Sequence, residues 1–265
     1  MSGHGPRAVD TQRALEQFAL VAPGAPNALW RSSLRQQFVG ASAVRQPMRK
    51  GVSGVVVAAT AALAAAAALI VCATLPSGSQ WQFVAGSGHG QIRIGARWIP
   101  VADSVALTSA LRTGVAVEVP ATAQLDIVLP GSVLMQITGG TGVTIPSRPG
   151  RWLNRDMQTA LSHGEVRITT GPGFHGARLV VNTHEARAMV TGTTLAVLRG
   201  ADSTCVCVFD GQVVVATGAS IDTVRAGTRR TMPRAGAPAR LEAIRSMETM
   251  KLFMLRERGG ELLRH

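Results

Sequence analysis

The sequence contains few aromatic residues and few cysteines. Phe and Trp make up 4% of its 265 residues and Tyr is absent, although 46% of the residues are hydrophobic and are ample for a core. The three cysteines form no C-x-x-C pair, and no Cys/His spacing matches a zinc-binding motif. Cys205 and Cys207 lie two apart in a β-like run, so their side chains should leave the same face of one strand. A disulfide between such neighbours is disfavoured by geometry.

The motifs of several enzyme classes are also missing. The chain has no G-x-x-x-x-G-K-[ST] loop and no G-x-S-x-G elbow, and no order of Ser, His and Asp is distinctive. Residues 171–176 match G-x-G-x-x-G, but the residues after them have a strand pattern, and a dinucleotide site needs a helix there. We therefore interpret this segment as a hairpin loop, and we expect no enzyme activity on a substrate, no cofactor and no metal.

The net charge of +12 is concentrated at the two ends of the chain. Residues 1–50 hold seven Lys/Arg and two acidic residues, and residues 225–265 hold ten and four. Residues 76–224 hold ten and nine, which is nearly neutral. The sequence therefore predicts no basic face on the central region and no direct contact with nucleic acid.

Residues 51–75 include an uncharged run of 24 residues, Val52 to Leu75. As a helix this run would be about 36 Å long and would cross a hydrocarbon core of about 30 Å. It is too long and too far from the first residue for a signal peptide, and too uniformly apolar for a soluble core helix. Arg45, Arg49 and Lys50 precede it, which orients the N-terminus toward the cytoplasm. We expect a single-pass inner-membrane protein, embedded in the lipid bilayer, with its C-terminal domain in the periplasm.

Residues 1–50 contain two short candidate helices with apolar stripes. A segment of this size cannot bury a core of its own, so it either docks on a partner or is a partly ordered tail. The candidate partner-binding residues are Leu15, Phe18, Leu29, Trp30, Leu34 and Phe38.

The residues beyond the predicted membrane helix divide into three parts. Residues 76–90 are rich in Gly and Ser and predict a linker, with Trp81 and Phe83 at the membrane interface. Residues 91–232 alternate with period two and predict many short strands in a sandwich, barrel or roll. Asp210-Gly211 lies between two apolar runs and predicts a two-residue hairpin turn.

Residues 233–265 are predicted to be a C-terminal helical tail, in which residues 239–258 return to a helical period. Leu241, Ile244, Met247 and Met250 step by three, and Gly259-Gly260 is expected to end the helix. Its Met-rich face could bind a partner, or the helix could pack back on the β domain.

Three stretches resemble the FecR domain over residues 105–217: LDIVLPGSVLMQI from Leu125, LSHGEVRI from Leu161, and MVTGTTLAVLRGADSTCVCVFDGQVVV from Met189. The resemblance implies a mainly β extracytoplasmic domain, of roll or sandwich form, after one transmembrane helix. It also implies a regulator that holds an extracytoplasmic-function sigma factor with its N-terminal segment and receives a signal from an envelope or outer-membrane protein. Residues 1–50 depart from the longer N-terminal region of many members.

The resemblance also identifies a peptide bond of interest. Some members of the family cleave themselves at a Gly-Thr pair, where the Thr hydroxyl attacks the preceding carbonyl and water opens the resulting ester. The matching residues are Gly192 and Thr193, which could instead form only a tight turn before a strand. One further function remains open: an envelope adaptor without a sigma factor, binding envelope polymer or protein. A β-rich envelope enzyme is disfavoured, because the sequence shows no catalytic set.

Overall fold

The computed structural model describes residues 80–150, 155–218, 220–234 and 237–264. These residues form sixteen strands and two α-helices. The strands are β1 (Gln82–Gly88), β2 (Gln91–Ile94), β3 (Arg97–Pro100), β4 (Ala116–Val119), β5 (Ala123–Leu129), β6 (Val133–Ile137), β7 (Thr141–Thr144), β8 (Asp156–Thr170), β9 (Arg178–Asn182), β10 (Arg187–Val190), β11 (Thr194–Arg199), β12 (Ser203–Asp210), β13 (Gln212–Thr217), β14 (Ser220–Arg225), β15 (Thr228–Pro233) and β16 (Arg240–Ala243). The helices are α1 (Ser104–Ala110) and α2 (Ser246–Leu262). The prediction of a mainly β domain with a C-terminal helix is therefore confirmed.

The strands form three sheets that share β8. The first has the order β1-β5-β6-β8-β11-β12-β15-β16. The second has the order β3-β2-β4-β7-β8, and the third β8-β9-β10-β13-β14. All pairs are antiparallel except β8 with β9. The shared strand holds the three sheets together.

Strand β8 curls back on itself. A straight strand of its 15 residues would be about 50 Å long, and the residues 171–177 after it span at most about 27 Å. Nevertheless Arg178, at the start of β9, pairs with Asp156, at the start of β8. The bend includes Gly164, whose φ of 86° is a conformation that glycine adopts readily. This geometry also shows that residues 171–176 are not a hairpin loop, because the strands they connect are parallel.

Alternating side chains fill a main core between the sheets. Its largest fully buried members include Phe174, Ile127 and Leu125. Trp81 is only 2% exposed, and its indole N–H donates to the carbonyl of Pro146 at 2.9 Å. A second, smaller cluster lies between the first sheet and α2.

The linker prediction for residues 76–90 is wrong where the structure describes them. Residues 82–88 form β1, an edge strand paired with β5, and Trp81 is in the core and not at a membrane surface. The small residues that suggested a linker serve packing, since a Cβ on Gly86 would lie 2.9 Å from Val101 Cγ1. The β unit therefore begins before residue 91, and it ends with β16 after residue 232.

The hairpin prediction at Asp210-Gly211 is also wrong. Strands β12 and β13 follow one another but do not pair: β12 pairs with β11 and β15, and β13 with β10 and β14. The chain passes from the first sheet to the third at Gly211, and returns at Ala226-Gly227 between β14 and β15. The amide of Ala226 donates to the carbonyl of Gly211 at 3.0 Å, so the two crossings form one bent ribbon.

Helix α2 packs on the outside of the first sheet through a different face from the one predicted. Its contacts come from Leu252, Leu255, Gly259 and the following Leu263, whereas Met247, Met250 and Met254 are exposed. Residues 240–243 form a strand, and the helix continues through Gly259-Gly260 to Leu262. The apolar residues at intervals of three from Leu241 therefore begin in a strand and continue into the helix, so they do not share one helix face.

Three ion pairs link α2 to the sheet, and one of them joins Arg256 to Asp210 of β12. Arg258 contacts Asp126 of β5, and Arg229 Nη1 of β15 donates to Glu248 Oε1 at 2.9 Å. Burial raises the pKa of Asp126, and the charge of Arg258 opposes that shift. Because Arg258 belongs to α2, docking of the helix brings a positive charge to the buried Asp126 carboxyl and favours its charged form.

Two adjacent glycines of α2 provide a test of this packing. A Cβ on Gly259 would overlap Thr169 Cγ2, whereas a Cβ on Gly260 would meet nothing within 4 Å. We expect Gly259→Ala to lower the free energy of unfolding by about 1–2 kcal/mol, because overpacking exceeds the gain in helix propensity. Gly260→Ala should raise it by up to about 1 kcal/mol. Urea unfolding and hydrogen exchange of the α2 amides would measure the stability of both variants. Equal changes in the free energy of unfolding would contradict the close approach of Gly259 to Thr169.

No helix within the described ranges is long and apolar enough to cross a membrane. The predicted membrane helix at 51–75 and the segment 1–50 lie outside the residues that the structure describes.

Candidate functional site

A pocket of about 570 Å³ lies between the last two turns of α2 and the sheet beneath them. The sheet contributes the end of β8, the residues before β11 and the end of β12. Its lining residues are Thr169, Thr170, Gly171, Pro172, Gly192, Thr193, Thr194, Asp210, Arg256, Glu257, Gly259, Gly260, Leu263 and Arg264. Most of them are polar or lack a side chain, so the pocket presents backbone and hydroxyl groups.

The Gly192–Thr193 peptide bond forms part of the wall of this pocket. The Thr193 backbone is held against β8: its N–H donates to Thr170 Oγ1 at 2.9 Å, and its carbonyl accepts from the Thr170 amide at 3.2 Å. Thr193 is only 5% exposed, yet Thr193 Oγ1 has no hydrogen-bond partner in the described part of the chain. The neighbouring Thr194 hydroxyl, by contrast, bonds Thr169 Oγ1 at 2.8 Å. An unpaired buried hydroxyl is uncommon and leaves the oxygen available for chemistry.

The backbone around this bond is unusual for two reasons. Gly192 has a φ of 150°, outside the range that other residues commonly adopt. Strand β12 also carries a bulge opposite the start of β11, since Thr194 pairs with Asp210 but Leu195 pairs with Val208. Bulges often re-aim side chains beside functional sites. The extra residue, Phe209, is directed toward α2, where its ring meets Phe253 edge-on with the centroids 6.3 Å apart.

Gly211 packs directly against the same bond. A Cβ at Gly211 would lie 2.8 Å from the Gly192 carbonyl oxygen and 2.8 Å from Thr193 Cγ2. Its own φ is 78°, so both space and backbone conformation require glycine. The Asp-Gly pair, which sequence reasoning interpreted as a turn, therefore belongs to the site.

Charged side chains from α2 and β12 complete the lining. Arg256 Nη2 lies 3.4 Å from Asp210 Oδ2, and Glu257 follows on the helix. The arrangement combines an unpaired hydroxyl, carboxylates that can accept a proton and an arginine that can stabilise negative charge. Sequence reasoning identified Gly192 and Thr193 but not the helix residues, because only docking of α2 brings them near.

Residues 115–214 match the model of the family described as FecR protein. This segment is a FecR domain. The match includes β4 to β12 and the first half of β13, and with them the Gly192–Thr193 bond and Gly211. The resemblance stated for residues 105–217 is thereby confirmed. Helix α2 and β14–β16 lie outside the matched segment, so part of the pocket wall comes from elements beyond the FecR domain.

Two crystal structures, at 1.65 and 2.50 Å resolution, are similar to part of the chain. Both are described as a candidate anti-sigma factor from Parabacteroides distasonis. Each is 15% identical to this chain with a TM-score of 0.44 and covers 52% of it. The chain spans 64% and 63% of their lengths, less than two thirds. No curated protein matches the chain.

The other predicted site residues lie outside the described part of the chain. They are the partner-binding candidates Leu15, Phe18, Leu29, Trp30, Leu34 and Phe38, and the orientation residues Arg45, Arg49 and Lys50. Among the described residues, no group of three or more His, Cys, Asp and Glu side chains is arranged to hold a metal ion.

Proposed function

We propose that the protein is a single-pass transmembrane signal transducer that regulates an extracytoplasmic-function sigma factor. The FecR domain lies in the periplasm and senses an envelope or outer-membrane partner. Residues 1–50 act on the sigma factor in the cytoplasm. The mechanism is binding and not turnover of a substrate.

The FecR domain at residues 115–214 is the observation that carries this proposal. Two features of the sequence support the placement of the segments. The uncharged run from Val52 to Leu75 is long enough to cross a bilayer, and Arg45, Arg49 and Lys50 stand on the side that the positive-inside rule assigns to the cytoplasm. The apolar stripe of residues 29–38 supports the sigma contact, since a short helix without a core stabilises itself by docking.

Replacement of the apolar stripe tests the proposed contact. The triple variant of Trp30, Leu34 and Phe38 to Ala should reduce recovery of a sigma factor with the full-length protein by at least tenfold. Aromatic and aliphatic anchors carry most of the energy of such interfaces. Quantitative mass spectrometry of proteins that co-purify from the native membrane would measure the recovery.

Gln36 and Gln37 lie in the same segment and provide the matched control. Their double Ala variant should recover the sigma factor as well as the wild type does. Failure of the wild type to recover any sigma factor would contradict the proposal. Recovery of envelope polymer or protein alone would favour the adaptor function. A reporter fused after His265 that is active only in the cytosol would contradict the topology.

A second function is favoured by one observation: the unpaired, buried Thr193 hydroxyl next to the Gly192 carbonyl. We propose that the chain cleaves itself between these residues. Thr193 Oγ1 attacks the Gly192 carbonyl carbon, the C–N bond breaks as the Thr193 amine leaves, and water hydrolyses the ester to a Gly192 carboxylate. The carboxylates of Asp210 and Glu257 line the same pocket and are candidates for accepting the hydroxyl proton.

A further inference from the structure

In the proposed topology, only a short connection separates the membrane span from the β unit. The uncharged run ends at Leu75, and Trp81 is already buried in the main core, where its indole N–H donates to the carbonyl of Pro146. Residues 76–80 between them can span at most about 18 Å. The uncharged run is long enough for its end to reach the lipid headgroups. The connection therefore keeps the surface around Trp81 within reach of the bilayer.

A basic pocket lies at this same surface. It has a volume of about 220 Å³, and its lining residues are Gln80, Trp81, Leu111, Arg112, Thr113 and Arg148. None of these six described residues carries a carboxylate. The basic pocket therefore combines two guanidinium groups and a hydroxyl at the point where the chain enters the β unit. Arginine binds phosphate oxygens through paired N–H donors, and a threonine hydroxyl can donate a further hydrogen bond.

The fold places the two arginines beside the entering chain. Arg112 follows α1 closely, and α1 packs against β1, the first strand of the β unit. Arg148 lies two residues after Pro146, whose carbonyl accepts the buried indole N–H. The amide of Gly114 donates to the carbonyl of Ile145 at 2.9 Å, and this bond joins the two segments that carry the arginines. The positive charges are therefore fixed at the end of the β unit that is tied to the membrane.

We propose that the basic pocket binds the phosphate group of an anionic phospholipid in the leaflet that the β unit faces. Arg112, Arg148 and the Thr113 hydroxyl bind the phosphate oxygens. The ligand is a lipid because residues 76–80 hold the basic pocket at the membrane surface, where anionic headgroups attract arginine. The contact fixes how the β unit stands on the bilayer, next to the span through which a signal passes. This inference rests on the proposed membrane topology and does not depend on the sigma factor.

Hydrogen exchange of the full-length protein in lipid nanodiscs tests the proposal. Discs that contain phosphatidylglycerol are compared with discs of phosphatidylcholine alone, and the exchange is measured by mass spectrometry. The peptide that contains Arg112 and Thr113 should exchange several-fold more slowly in the discs with phosphatidylglycerol. High salt should remove most of this difference, because it screens the attraction between arginine and the headgroups.

Two double variants separate the basic pocket from general positive charge. Arg112→Gln with Arg148→Gln should lower the ratio of lipid-bound to free pocket about thirtyfold and so abolish the slowing, since each arginine near an anionic surface favours binding about fivefold. Arg225→Gln with Arg240→Gln removes the same charge from β14 and β16, the last strands of the third and first sheets, and should preserve the slowing. The exchange of β8 serves as the folding control for both variants.

The possible results distinguish this inference from the proposed function. Equal exchange of the wild type in the two kinds of disc would overturn the inference and leave the proposed function in place. Equal slowing by inorganic phosphate in phosphatidylcholine discs would identify a soluble anion as the ligand and would also overturn it. A wild-type protein that does not enter the discs would contradict the membrane topology, and with it both proposals.

Discussion

Thr193→Ala is expected to abolish fragmentation of the full-length protein. The wild type should yield two pieces, residues 1–192 and 193–265, in a denaturing gel, whereas the variant should remain one intact band. The reason is chemical: in the proposed cleavage the Thr193 hydroxyl is the nucleophile, and alanine has no hydroxyl. Mass spectrometry of the larger piece should show a free carboxylate at Gly192, and Edman sequencing of the smaller piece should begin at Thr193.

Two neighbouring substitutions separate chemistry from packing. Thr193→Ser keeps the hydroxyl and should still cleave. Thr194→Ala removes the adjacent hydroxyl, which bonds Thr169, and should leave cleavage intact. Fragments that persist in Thr193→Ala would assign the cut to a protease, and a single intact wild-type band would contradict self-cleavage without touching the sigma-factor proposal.

The two pieces should remain associated under native conditions. Residues after the cut form β11, which pairs with β8 on one side and β12 on the other, and only β8 belongs to the first piece. The third sheet joins the pieces as well, since β13 pairs with β10. Size-exclusion chromatography should therefore show one species until denaturant is added. The break would free Gly192 from Thr193 while the sheets stay paired.

Gly164→Ala is expected to be a strongly disruptive addition of a single methyl group to the described structure. A Cβ there would lie 2.5 Å from Thr141 Cα and 2.6 Å from the Gly140 carbonyl oxygen, and neither backbone atom can move without breaking the β7–β8 contact. The positive φ adds about 1–2 kcal/mol. We expect the free energy of unfolding to fall by at least about 3 kcal/mol, measured by urea unfolding.

Gly114→Ala provides the matched control. Gly114 has a φ of 78°, close to that of Gly164, but a Cβ there would meet nothing within 4 Å. Only the conformational cost of about 1–2 kcal/mol should appear. Equal losses in the free energy of unfolding for the two variants would mean that the close backbone approach at Gly164 adds nothing to the cost of the substitution.

Much of the fold followed from local pattern. Period-two alternation placed most strands of the β unit, since side chains of a strand alternate between two faces whatever its neighbours are. The same rule put Cys205 and Cys207 on one face. The pattern failed at Gln82–Gly88, where small residues that suggest a linker pack as an edge strand, and at Arg240–Ala243, where a strand stood inside a helical period.

The candidate site was predictable only in part. Gly192 and Thr193 were found through their resemblance to a family motif. Gly211 was noticed for its turn chemistry, but its real constraint is the Gly192 carbonyl against it. Arg256 and Glu257 carried no signal, because nothing in a helix sequence tells which sheet edge its last turns will cover.

By itself the sequence determined a β-rich domain, its FecR resemblance, the charge asymmetry and the uncharged run before the domain, because composition and side-chain periodicity depend only on near neighbours. The tertiary structure alone decided that β12 and β13 enter different sheets at Gly211, that β8 belongs to three sheets and that α2 covers the pocket at Thr193. Those features depend on pairing between residues far apart in the chain, and such pairing is chosen by the burial and hydrogen bonding of the whole domain.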